Sequence, residues 1–358
     1  MKRIACTALT LIAIMVSNFA VDFAMETDQF NLPPEPLYDI GDEVSAYVEE
    51  NLRIALNKVN ADIAIRQSCL DATAAKETKC DSGQSEMKKL AALRSNTVVA
   101  KELFKLIGDG NLFITSTGKW FNKHKFTQEP SRYKAAYGES IYMTNPIDYA
   151  TLSPTVHMYD SEFGTDKIEH LLQQGYKYYK IYNEAVASGK TPEEASKKAV
   201  KWGQRTERTY FGMLVSGVYS NADLYANYAG MKFYLGLTNA MQIGTDARQP
   251  ILILRDGVWK LKDPENLRSE LIKPFLTDHL NEALNPSGYS FLLYPFVKNT
   301  VRKNDCAKWK KQYPNLTASE FNKRSEALAL WNGEDYGFAK RGHSVAIASC
   351  FDEKSSGE

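Results

Sequence analysis

Apolar residues recur at three- and four-residue steps along residues 42–70, as Val44, Val48, Leu52, Ala55, Val59 and Ile63. That spacing places them on one side of a 3.6-residue repeat, so it predicts a long amphipathic helix from about Asp42 to Leu70. A helix with one apolar stripe must bury it against other elements. A second helix is expected from about Ser85 to Ile107, and another across residues 269–289, stopped by Asn285-Pro286. "NLFITSTGKWFNK" (111–123) alternates around a Thr-Gly turn, and "PILILRDGVWKLK" (250–262) carries Asp256-Gly257, so both predict hairpins. No internal repeat or low-complexity linker divides the chain. The expected fold is mainly α, a multi-helix globular domain over residues 25–358 with one or two small β-hairpins.

The first 24 residues have a different logic. Lys2 and Arg3 precede an apolar run from Ile4 to Val16, and small residues surround a plausible cut after Ala24. The run is too short to span a bilayer comfortably, which predicts a signal peptide over residues 1–24 and a periplasmic or secreted mature protein. No later stretch is apolar enough for a membrane span in the mature chain. The 44 basic and 43 acidic residues give a net charge of +1, which offers no field for nucleic acid. An exported chain favours disulfides, and four cysteines remain after cleavage. Local closure favours Cys69–Cys80 and Cys306–Cys350. Their spacing suits no zinc site.

The chemistry-bearing residues gather in residues 160–240. Asp166 is placed to cap a helix, with Glu169 three residues on, and His170 projects from the face of Asp166. Thr191, Pro192 and Glu194 open the next helix. Along it Val200, Gly203, Glu207, Phe211 and Leu214 form one stripe, and Glu207 is its only charged member. A lone carboxyl on an apolar stripe needs a partner or a proton, and burial raises its pKa towards that of a general acid. Ser220 and Asp223 have capping-box spacing. Asp223, Asn227 and Gly230 then share a face on which Ala226 and Gly230 permit close backbone approach. The expected partners of that face are His170, Lys167 and Glu207.

In this order, D-K-x-x-H (Asp166, Lys167, His170), Glu207 and S-x-x-D-L-x-A-N-x-x-G (Ser220, Asp223, Leu224, Ala226, Asn227, Gly230) resemble the pattern of VanZ-like envelope proteins. The similarity covers about 70 of 358 residues. Members of that family are membrane proteins, whereas these helices carry many lysines, arginines and tyrosines. The resemblance implies a bacterial envelope setting and a polar cluster between packed helices. It implies no particular reaction.

Two functional readings follow. One is an exported envelope hydrolase cleaving peptidoglycan glycan, or another envelope polymer, in the manner of a muramidase. Glu207 would be its acid, Asp223 or Asp166 its ionised partner, and His170 a hydrogen-bonding neighbour. Asn227, Tyr219, Tyr225 and Tyr228 would contact the sugar. A metal held by Asp166, His170, Glu207 and Asp223 is a weaker variant, since one histidine among carboxylates is a poor zinc signature. The reading calls for no cofactor and no metal. The other is a periplasmic scaffold or binding protein whose Asp-His-Glu-Asn network only fixes helix packing. No Walker loop, dinucleotide fingerprint or G-x-S-x-G motif is present.

Overall fold

A computed structural model describes residues 26–74, 81–110 and 115–352. The fold is mainly α, and every sheet among the described residues has two strands. The expected signal peptide and Cys80, with its expected bond to Cys69, lie outside the described residues.

A short strand, β1 (Glu26–Thr27), precedes helix α1 (Gly41–Ala74). The six stripe residues of α1 are at most 2% exposed, so the apolar period does mark its buried side. The segment expected as one helix to Ile107 divides into α2 (Gly83–Leu93) and α3 (Val98–Ile107). Ser95 sits at the break, and its hydroxyl donates to the Ala92 carbonyl, a local bond that competes with the helical ladder. Residues 116–123 correct the first expected hairpin, because they form helix α4 (Ser116–Lys123). The Thr115 hydroxyl accepts the Gly118 N–H at 2.8 Å and caps it.

After α5 (Pro146–Ala150), strand β2 (Leu152–Ser153) pairs in parallel with β1, Glu26 opposite Leu152. A tight hairpin of β3 (Thr155–Met158) and β4 (Ser161–Gly164) then delivers the chain into α6 (Thr165–Glu169). One π-helical turn, His170–Gln174, joins α6 to α7 (Gly175–Ala187). Helix α8 (Pro192–Glu207) begins with the expected capping box of Thr191 and Glu194. It ends at Glu207, so Phe211 and Leu214 fall on turns beyond it and the expected stripe stops at the carboxylate.

Strand β5 (Val218–Tyr219) leads to α9 (Asn221–Gly236), capped by Ser220. Nearly every residue of α9 is buried, as suits a helix surrounded by others. It crosses the α6–α7 segment with its backbone almost touching. A Cβ on Gly230 would stand 1.9 Å from the Leu171 carbonyl oxygen, and one on Gly175 would stand 2.5 Å from Gly230 Cα. Only glycine fits there.

The hairpin of β6 (Met241–Ile243) and β7 (Asp246–Arg248) is followed by the expected one, β8 (Leu252–Arg255) with β9 (Val258–Leu261). Its turn residues Asp256 and Gly257 have φ of 55° and 79°, as a two-residue hairpin turn requires. The helix expected over residues 269–289 is corrected to a short α10 (Leu267–Leu271) and single turns at Lys273–Phe275 and Asp278–Leu280. Pro274 offers no N–H to continue the ladder, and its ring crowds the preceding turn. Strand β10 (Gly288–Tyr289) pairs antiparallel with β5. Helices α11 (Tyr294–Thr300), α12 (Cys306–Gln312) and α13 (Ala318–Ala327) complete the C-terminal layer, tied by the Cys306–Cys350 disulfide.

The apolar interior falls into two clusters, one built on α1, α7 and α9 and a smaller one around Tyr142, Tyr289, Val297 and Trp309. Val218 belongs to the smaller and Tyr219 to the larger; Ala283 and Leu280 divide the same way. A polar centre lies along this seam.

Candidate functional site

Lys167 is fully buried on α6, and its ammonium donates to three carboxylates at 2.6 Å each: Asp166 Oδ2, Asp223 Oδ1 and Glu282 Oε1. Each acid comes from a different part of the fold. Asp166 is its chain neighbour, Asp223 stands in the first turn of α9, and Glu282 follows the turn at Asp278–Leu280.

Further bonds tie these groups to one another. The Thr27 hydroxyl donates to Asp166 Oδ1 at 2.6 Å. Ser220 is the hinge of the network. Its hydroxyl donates to Glu282 Oε1 at 3.0 Å and accepts the Asp223 N–H at 3.0 Å. Its own N–H donates to Glu207 Oε1 at 3.0 Å. The Glu282 N–H is received by Gln29 Oε1 at 2.6 Å. At the rim, His170 Nδ1 lies 3.1 Å from Asn227 Oδ1, and its Nε2 lies 3.6 Å from Asp223 Oδ2. The His170 side chain, 16% exposed, is where the centre comes nearest to solvent.

Asp166, His170, Glu207, Asp223 and Asn227 thus meet at one centre, as their spacing suggested. Asp166 is not the helix cap; Gly164 holds that position, and the Asp166 carboxylate turns inward to Lys167 and Thr27. Glu169 closes no capping box either and receives the Thr115 hydroxyl. The tyrosines are placed differently from expectation. Tyr225 is in the core, its hydroxyl donating to the Phe275 carbonyl and its ring stacked on His279. Tyr228 donates to Glu334, and Tyr219 lies buried beneath the Arg341 guanidinium. Core packing occupies all three rings, and none is presented to solvent as a sugar platform.

Glu26 and Glu282 complete the centre, and sequence reading missed both. Glu282 stands three residues after His279 in the segment whose pattern predicts a helix, and no local spacing sets it apart. Glu26 has no local pattern at all.

Three buried carboxylates therefore bond one buried ammonium, and two more buried carboxyls, Glu26 and Glu207, stand within reach of its charge. Burial alone would strip the proton from Lys167, but Asp166, Asp223, Glu282 and Glu26 outweigh it and hold its pKa well above the usual lysine range. Burial alone would raise Asp166, but the Lys167 charge and hydrogen bonds hold it below the usual carboxylate range. Burial and the neighbouring charge of Asp223 push Glu207 well above that range. Burial, Glu282 and Asp223 do the same to Glu26. Glu282 is raised to about 7 by burial, against the opposing pull of Lys167. The cluster thus sets carboxyls with raised pKa values beside one with a lowered pKa, an arrangement suited to acid–base chemistry.

Asp166, Asp223 and Glu282 each offer an oxygen within 4.8 Å of the others, close enough for a cation. The Lys167 ammonium already occupies their point of convergence, so a metal ion would have to displace it. Comparison with protein-family models, curated proteins and solved structures finds no match.

Proposed function

We propose that the chain is an exported bacterial envelope hydrolase working by carboxylate acid–base catalysis, with cell-wall glycan as its substrate class. The observation that carries this reading is the excess of acid: three buried carboxylates bond one ammonium, and Glu26 and Glu207 lie buried within reach of its charge. A structural ion pair needs one carboxylate per lysine, and each further buried acid costs stability unless it is neutralised. Perturbed groups clustered in this way are characteristic of functional sites. Glu207, whose pKa burial and Asp223 raise, would give a proton to the bridging oxygen as the glycosidic bond breaks. Asp166, whose pKa is lowered, would balance the positive charge developing on the sugar carbon, and water would then bond that carbon and return a proton to Glu207. The resemblance of the residue order to that of VanZ-like proteins is the ground for the envelope setting. Glu207 is buried beneath the turns of residues 208–217, so these must open for a sugar chain to reach it.

The alternative is a periplasmic scaffold or binding protein, and the complete burial of Asp166, Lys167 and Asp223 favours it. A zymogram on cell-wall substrate separates the two. The hydrolase reading expects clearing by the wild type and none by Glu207→Gln with an unchanged melting temperature. If wild type gives no clearing and Glu207→Gln alters only the melting temperature, the scaffold reading stands.

A further inference from the structure

Two exposed apolar loops leave the same end of the β5–β10 ribbon. Tyr289 pairs with Val218, and just beyond them the Ser290 N–H donates to the Gly217 carbonyl at 2.7 Å. From that junction residues 208–217 run one way and residues 290–296 the other. The first loop exposes Tyr210, Leu214 and Val215; the second exposes Phe291 and Leu292 and runs into the first turn of α11, which exposes Phe296. Leu214 is 76%, Phe291 71% and Leu292 67% exposed, and large apolar side chains rarely stand so far into water in one place.

The charge around them is one-sided. Residues 208–222, 287–303 and 336–351 contain no aspartate or glutamate, in a chain whose overall charge is +1. They carry exposed Arg208, Lys298 and Lys340, and half-buried Arg341. Apolar tips bordered by cations match the interface of an anionic bilayer, where apolar groups enter the acyl boundary and cations meet the headgroups.

We propose that residues 208–217 and 290–296 dock the protein peripherally onto an anionic lipid surface. This rests on the exposure and charge of the two loops and is independent of the hydrolase reading. It also orients the centre. The Met213 N–H donates to the Glu207 carbonyl at 3.0 Å, and a Cβ on Gly212 would lie 2.6 Å from Glu207 Oε1. The loop that would meet the lipid is therefore the one that covers Glu207.

The test is flotation of the mature protein with vesicles of phosphatidylcholine alone and with added phosphatidylglycerol. The wild type is expected to float with the anionic vesicles and to be released by salt. Leu214→Asp/Phe291→Asp/Leu292→Asp is expected to lose about tenfold or more of that binding. Lys298→Glu/Lys340→Glu should weaken it on anionic vesicles only. Circular dichroism and melting of each variant establish that it folds. A wild type that stays with neither vesicle overturns the proposal, as does a folded triple variant that floats as well as the wild type. A wild type that dimerises by light scattering, with the triple variant monomeric and neither bound to vesicles, also overturns it and assigns the loops to contact between copies.

Discussion

The Lys167 ammonium meets Asp223 Oδ1 at 2.6 Å although 56 residues separate them in the chain. This bond joins the first turn of α9 to α6, and the near-contact of Gly175 with Gly230 brings the two segments close. The buried cation therefore depends on the helix crossing, and the crossing on two glycines.

Lys167→Met is expected to destabilise the protein by about 3–5 kcal/mol, the cost of leaving buried acids without their cation. Without the ammonium the carboxyls must fold protonated, so the loss should be largest near about pH 8 and shrink near about pH 5. Urea denaturation at both values checks this; a loss independent of pH would contradict it.

Glu282 supplies a pH window of its own. Its folded pKa of about 7 lies above the ordinary 4.5, so the unfolded chain releases this proton first. The stability it contributes is complete below the ordinary value and is lost as pH rises towards about 7. Glu282→Gln removes that titration. Across the window the wild type should lose stability relative to the variant, at a slope of up to about 1.4 kcal/mol per pH unit. Parallel stability curves in thermal or urea unfolding would rule the effect out.

Gly230→Ala should cost about 3 kcal/mol or more, because the new methyl would meet the Leu171 carbonyl and the Gly175 backbone, neither of which can swing aside. Gly138→Ala is the control. No atom stands within 4 Å of its added carbon, so its effect should stay within about 0.5 kcal/mol. Equal melting temperatures for the two variants would remove the close crossing as the cause.

The Cys306–Cys350 bond closes a segment of 44 residues that includes α12 and α13. Cys306→Ser/Cys350→Ser should lower stability by about 2–4 kcal/mol through the freer unfolded chain. The urea midpoint of the variant, beside peptide mapping of the wild type, tests both the size of the effect and the pairing.

Residues whose role follows from a local period or a cap were legible in the sequence. The stripe of α1, the box at Thr191 and Glu194, the Ser220 cap and the Asp256-Gly257 turn are decided within a few residues of chain. The lone Glu207 and the Asp223–Asn227 face were legible because burial makes a polar residue conspicuous on an otherwise apolar helix side. The direction of a carboxylate that can either cap or pair was not legible. Asp166 has the spacing of a cap and faces Lys167, because a buried ammonium attracts it more strongly than an amide N–H. Nor was the membership of Glu26 and Glu282, which reach the centre from strand β1 and from a proline-broken segment that carry no periodic signal. Tyr225 and Tyr228 showed only their composition, and tertiary packing alone committed them to the core. The sequence by itself determined the helices and their caps, because these rest on contacts three or four residues apart. Only the tertiary structure decided that three acids would bond one lysine with two more buried beside them, because that depends on segments up to about 250 residues apart packing until their charges must be neutralised together.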